Sequence, residues 1–303
     1  MGNHVTTAGR RPIITLLTDF GHRDPFVGIM KGVILALCPM ANIVDLCHET
    51  AAYDIIEAGF TLQSAVRFFP SGTIHVAVVD PGVGGPRRPL LAIIGDSLFV
   101  APDNGLLSYP MAYAQVQSVR AITSQEFFLH PVSSSFHGRD VFAPVAGHLA
   151  AGVEPERFGP EITDPVRVAI PRCSLVPPGV LKGEIVWIDR FGNCVTNIQA
   201  EDLEQFRSRR PGDIRAFLDG RPVGKVVQFF GEAGPGGRGA LIGSTGHLEL
   251  FLNQGNLAEE WGARRGAPVH LEAEEISDLA RLPPARPRSG GEQSGGQGSR
   301  ISD

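Results

Sequence analysis

The sequence predicts an α/β domain, its mostly parallel sheet flanked by helices, followed by a small antiparallel β-barrel. Three observations carry this. Strand-like apolar runs alternate with helical patterns through the first half, a proline-rich stretch interrupts them near residue 165, and short strand-like runs between glycine-rich turns follow it. Alternation of strand and helix implies parallel strands with helical crossovers, whereas closely spaced strands without helices imply antiparallel pairing.

Taken in order, Ile13–Thr18 reads as a strand ending at Asp19-Phe20-Gly21. From Phe26 to Leu37 apolar residues recur at helical spacing until Pro39 stops them. Ile43–Cys47 is a second strand, and a second helix is predicted over Tyr53–Phe69, closed by Pro70-Ser71-Gly72. The third strand, Thr73–Val79, runs into Asp80 and a glycine-proline turn. Leu90–Ile94, Leu98–Ala101 and Val116–Ile122 supply further strands, and Val141–Ala151 a helix ended by Gly152. Residues 165–178 have the composition of a linker. Beyond it lie the strand candidates Lys182–Asp189, Cys194–Ile198, Asp213–Leu218, Lys225–Phe229, Ala240–Ile242, Leu248–Leu252 and Pro268–Leu271. The resulting division is an α/β domain over 12–164, a linker over 165–178, a β-barrel over 179–276, and a glycine- and serine-rich tail over 283–303 expected to be disordered.

Length and composition bound the function. A chain of 303 residues suits about two domains. A net charge of −5 gives no electrostatic case for nucleic acid, and no basic stripe with interleaved aromatics exists. No apolar stretch approaches the roughly 18 residues of a membrane span, and Met1–Arg11 has no apolar signal core, so a cytoplasmic location is expected. Cys38, Cys47, Cys173 and Cys194 are widely spaced, and no metal-ligand cluster stands out; neither metal nor cofactor is expected.

Several polar residues fall where strands end. Asp80 and Arg87 are held seven residues apart by a glycine-rich turn, close enough to pair and leave a guanidinium facing a cavity. An ordinary βα turn with a surface ion pair explains those residues equally well. Asp19 sits where acids after Rossmann-type strands accept from a ribose diol, or where a turn aspartate would sit. Asn104 belongs to the turn Ala101-Pro102-Asp103-Asn104-Gly105, and His137 lies between Phe136 and Gly138 just before a helix. In the second half, Asp189-Arg190-Phe191-Gly192-Asn193 and Gly243-Ser244-Thr245-Gly246 are polar turns, each passing alone for a hairpin loop.

In combination and in this order, these segments resemble the S-adenosyl-L-methionine hydroxide adenosyltransferases, also called SAM hydrolases (adenosine-forming), relatives of the fluorinase and chlorinase. The resemblance spans about residues 12 to 275 and implies the same α/β plus β-barrel fold. It also implies a homotrimer with active sites between the N-terminal domain of one subunit and the C-terminal domain of the next. The implied reaction is attack of water on C5′ of S-adenosyl-L-methionine, releasing methionine and forming adenosine. The family's water-handling triad maps onto Asp80, Arg87 and His137. Arg87 stays protonated and would stabilise hydroxide, while Asp80 or His137 takes the proton. By the same resemblance Asp19 holds the ribose hydroxyls, Tyr53 packs on the substrate, Asn104 belongs to the substrate-binding set, and Phe191 and Phe230 surround the adenine. Asp189, Asn193 and Ser244 match positions that hold the methionine amino and carboxylate groups.

Two departures stand out: Gly85 replaces a threonine, and Thr245 stands where the fluorinase has an arginine. A SAM-dependent halogenase is the nearest alternative, but the fluorinase has a tyrosine at the position of Asp80, and a carboxylate there repels an incoming halide. A non-catalytic binder of S-adenosylmethionine or adenosine is the alternative from another class.

Overall fold

A computed structural model describes residues 11–273 apart from 178 and 211; the expected tail over 283–303 lies outside the described residues. The first half contains β1 (Ile13–Thr18), α1 (Phe26–Leu37), β2 (Asn42–Cys47), α2 (Ile55–Val66), β3 (Ile74–Val78), β4 (Pro89–Ile94), β5 (Ser97–Pro102), α3 (Ser108–Tyr113), β6 (Val116–Ala121) and α4 (Ala143–Ala150). Its six strands lie in the order β2-β1-β3-β5-β4-β6. The first four pair in parallel, while β4 and β6 pair antiparallel with their neighbours, so the expected sheet is borne out.

Alternation along β3 explains its apolar run, which only His75 interrupts. Val76 and Val78 enter a core with Met30, Ile34 and Phe142 from the α1/α4 side, whereas Ala77 and Val79 enter a second core with Leu62 and Met111 on the α2/α3 side. Because β2 and β3 lie on opposite sides of β1, the strand order reverses there. The crevice beyond the carboxyl ends of β1 and β3 is therefore a topological switch point, the usual ligand position in an open α/β sheet.

The second half contains β7 (Ser174–Val176), β8 (Val180–Ile188), β9 (Cys194–Gln199), α5 (Ala200–Arg209), β10 (Ile214–Leu218), β11 (Arg221–Lys225), β12 (Arg238–Ile242), β13 (His247–Leu252), α6 (Leu257–Trp261) and β14 (Pro268–Ala273). The main strands run in the order β11-β10-β14-β8-β9-β13-β12. A bridge between Val226 and Ala240 brings the two outer strands together and nearly closes the barrel around Ile185, Cys194, Ala216, Leu250 and Leu271. The halves meet where Phe60 of α2 and Tyr109 of α3 pack on Val186 and Val195; the Phe60 and Trp187 rings lie 5.8 Å apart.

Four local differences from the sequence reading have physical causes. The helix expected from Tyr53 starts at Ile55, because Tyr53 is left-handed (φ 67°) and Asp54 caps the helix by accepting from Glu57 N at 3.0 Å. The Lys225–Phe229 strand is displaced: Lys225 ends β11, and a 3-10 turn begins at Phe230. The helix α5 was not foreseen, its apolar signal being Leu203 and Phe206 alone, while a Gln199/Asp202 capping box fixes its start. The stretch taken for a linker contributes β7, which pairs with β8, and is tied to the first half by Val166 N donating to Asp103 Oδ1 at 2.7 Å.

Candidate active site

Three neighbouring parallel strands deliver three of the foreseen polar residues: β1 ends before Asp19, β3 before Asp80, and β5 before Asn104. Asp19 and Asp80 line a cavity of about 310 Å³ at the switch point, together with Tyr53, Phe136 and His137. Asp19 Oδ2 accepts from Tyr53 N at 2.8 Å, which holds the exposed Tyr53 ring at the cavity rim. Asn104 lines neither this cavity nor the one in the barrel half. Its Nδ2 donates to the carbonyl of Val79 at 2.8 Å, pinning the residue that precedes Asp80.

Asp80, Arg87 and His137 touch in that order. Arg87 Nε donates to Asp80 Oδ1 and Oδ2 at 3.0 and 2.9 Å, and its Nη2 also pairs with Oδ2. The same Nη2 donates to His137 Nδ1 at 2.7 Å. The ion pair is nearly dry, with the Arg87 and Asp80 side chains only 10% and 5% exposed. Burial and then the Arg87 charge hold the His137 imidazole below its usual pKa of 6.5, opposed by Asp80. Since a guanidinium only donates, Nδ1 carries the lone pair, and the proton of neutral His137 sits on Nε2.

Two local features bring these loops together. Gly84 has φ 76°, and a Cβ there would overlap the carbonyl of Ser134, three residues before His137. After His137 the chain makes a π-helical turn over Gly138–Phe142 before entering α4, the kind of bulge that re-aims a side chain. Phe20 and Phe26 pack edge-to-face on Phe136, which fixes the aromatic wall beside His137.

The barrel candidates assemble elsewhere. Asp189, Phe191, Asn193, Phe230 and Ser244 all line an open cavity of about 1020 Å³, and no residue lines both cavities. Asp189 Oδ1 accepts from the N–H groups of Phe191 and Asn193 at 2.9 and 2.8 Å, and Oδ2 from Asn193 Nδ2 at 2.9 Å. The turn thus satisfies its own aspartate and projects Phe191, 73% exposed, outward. Among the described residues, no group of three or more His, Cys, Asp or Glu is placed to hold a metal ion.

A model of the SAM hydroxide adenosyltransferase N-terminal domain matches residues 14–159, and one of the C-terminal domain matches residues 183–270. The chain belongs to the SAM hydroxide adenosyltransferase family. An (R)-S-adenosyl-L-methionine hydrolase of Thermus thermophilus is 36% identical over 270 residues, covering 86% of this chain and 99% of the relative. One from Salinispora tropica is 34% identical over 265 residues (86% and 98%), and a fluorinase of Nocardia brasiliensis 30% identical over 301 residues (88% and 99%). Among solved structures, an uncharacterized conserved protein from Thermotoga maritima aligns with a TM-score of 0.80 at 31% identity, covering 85% of this chain and 99% of that one.

Membership in the hydroxide adenosyltransferase family leaves some site residues that sequence reasoning missed. Phe20 and Phe26 looked like ordinary core residues, since nothing in their spacing distinguishes a cavity wall from a helix face. Glu249 had a legible signal: a lone acid inside the apolar run Leu248–Leu252, on a strand whose flanking Leu248 and Leu250 fill the barrel core.

Proposed function

We propose that the chain hydrolyses S-adenosyl-L-methionine to adenosine and L-methionine, with Asp80, Arg87 and His137 directing water onto C5′. The observation that carries this is the contiguous Asp80–Arg87–His137 chain beside a switch-point cavity that also holds Asp19. A sulfonium leaves without needing a proton, so catalysis reduces to deprotonating and aiming water. Arg87 is unable to act as a base; anchored by Asp80, it stabilises the developing hydroxide. His137 is neutral, and its Nδ1 lone pair, which accepts from Arg87 Nη2, is released for a proton when a water displaces that hydrogen bond. A water entering between Arg87 and His137 accepts from the guanidinium and gives its proton to Nδ1 while its oxygen bonds C5′ and the C5′–S pair departs with methionine.

Asp19 takes the ribose hydroxyls, and Tyr53 packs on the substrate. Across the site Phe191 and Phe230 embrace the adenine, while Ser244 and Asn193 face the methionine end. These groups line two cavities in different halves, and two large aromatic rings, Tyr53 and Phe191, stand 71% and 73% exposed at their rims. That division favours an assembly in which the α/β half of one subunit faces the barrel half of the next, in keeping with the homotrimer that the family resemblance implies. A sulfonium is a stereocentre and the hydrolase relatives are named for the (R) form, so both epimers belong in the test. Incubation of the purified protein with each epimer, with and without chloride, bromide or fluoride, should yield adenosine and methionine alone by chromatography. Tight binding without product, or a halogenated nucleoside, would overturn the reading.

A further inference from the structure

The neighbouring parallel strands β1 and β2 end on two polar side chains that touch. Thr18 closes β1, and His48 follows Cys47 at the end of β2; they are 0% and 1% exposed. Thr18 Oγ1 lies 2.8 Å from His48 Nδ1. On the other side of the ring, Nε2 faces Asp45 Oδ1 at 3.1 Å, an electrostatic contact rather than an aligned hydrogen bond, and Lys31 of α1 holds Asp45 Oδ2 at 2.6 Å. Burying two polar side chains is costly unless their donors and acceptors are matched in a set direction.

That direction follows from the charges. A lone pair on Nε2 would face the Asp45 carboxylate, so the ring proton belongs there. Burial holds the imidazole below its usual pKa of 6.5, opposed by Asp45 and aided by His22 and Lys31, so the ring carries that one proton. Nδ1 is therefore an acceptor, and the Thr18 hydroxyl donates to it. The hydroxyl oxygen is left to accept from Phe20 N at 3.2 Å. The chain from Phe20 N–H through Thr18 to His48 thus brackets Asp19, the residue between Thr18 and Phe20. The same two loops are stitched again where Thr50 Oγ1 donates to the Thr18 carbonyl at 3.0 Å and Gly21 N to the His48 carbonyl at 2.7 Å. We propose that His48 is a positioning residue: through Thr18 it fixes the Thr18–Gly21 turn and so aims the Asp19 carboxylate at the ribose hydroxyls. This rests on the hydrolase reading, in which Asp19 takes those hydroxyls. Neither His48 nor Thr18 lines the cavity, so their effect on substrate passes through the turn.

The test compares S-adenosylmethionine with its 2′,3′-dideoxy analogue, the same sulfonium without the ribose hydroxyls, as the ratio of their kcat/KM values. Asp19→Asn should erase most of the wild-type preference for the diol. His48→Gln keeps a polar group at the Nε2 end but loses the Nδ1 acceptor, and Thr18→Val removes the hydroxyl at nearly constant volume. Each should lower the preference about fivefold and leave the analogue within about twofold of its wild-type value. Thr18→Ser keeps the hydroxyl and should restore the preference. On the Asp19→Asn background, His48→Gln should cost no further preference, because both changes act on one contact. A purely structural role would slow both substrates alike; such equal losses, or additive losses in the double variant, would overturn the proposal. Thr18→Val decides the matter if His48→Gln does not fold. Full preference in Asp19→Asn would overturn the proposal together with the ribose role of Asp19. Should the wild type form no adenosine, the ratio of Kd values for adenosine and 2′,3′-dideoxyadenosine by calorimetry separates failure of the reaction from failure of the positioning.

Discussion

At the residue scale, the proposed mechanism rests on the dry charge pair of Asp80 and Arg87. Asp80→Asn keeps the shape but removes the charge that anchors Arg87, and should lower kcat/KM by about 10²-fold or more in a chromatographic adenosine assay. The same change should lower the Tm, since breaking a buried ion pair costs about 3–5 kcal/mol. The pH dependence follows from His137. Its pKa lies below 6.5, so the proton acceptor is competent at neutrality, and kcat should fall on an acidic limb below that value. Loss of the limb in His137→Gln supports His137 as the acceptor; an unchanged limb assigns it elsewhere. His75 sets a separate limit. Buried against Thr15 Oγ1 at 2.7 Å, it is pushed down to about 4, so it must stay neutral to remain folded. Its stabilising contribution is present above about pH 6.5, the unfolded value, and is lost as pH falls toward 4; a urea-midpoint series should show that decline flattened in His75→Gln. Asp80 and Arg87 were legible in sequence because a glycine-rich turn after a strand is a short-range signal. Glu249 showed only as a lone acid in an apolar run, and its place in the barrel cavity depends on segments distant in sequence.

At the element scale, strands were the most legible feature. Runs such as Ile74–Val78 are, His75 aside, apolar and rich in β-branched residues because both faces of the sheet are covered, and that pattern survives without tertiary knowledge. Boundaries set by single hydrogen bonds were less legible: Asp54 capping moved the start of α2, and the π-helical turn after His137 has no counterpart in hydrophobic spacing. The close approach of two loops at Gly84 gives the sharpest element-level prediction. Gly84→Ala strains a left-handed residue and drives a methyl into Ser134, separating Arg87 from His137. Activity should drop at least 10-fold while far-UV circular dichroism stays unchanged; full activity would show that the contact does not hold the triad together.

For the whole molecule, both architectures were legible from alternation and turn spacing, and both halves of the candidate site from their polar turns. How the two halves of the candidate site face one another is carried by no local pattern, and the family resemblance alone implied it. The division of polar groups between two cavities predicts complementation. Asp80→Asn and Phe191→Ala subunits, each impaired, should regain activity when unfolded and refolded together, because mixed trimers contain some sites with neither change. Light scattering should give three times the chain mass; a monomer with full activity would contradict the shared site. The central claim is that water, directed by Asp80, Arg87 and His137, attacks C5′, and turnover in oxygen-18 water tests it most directly. Mass spectrometry should find the label in the 5′-hydroxyl of adenosine and none in methionine; labelled methionine, or adenosine without label, would contradict it.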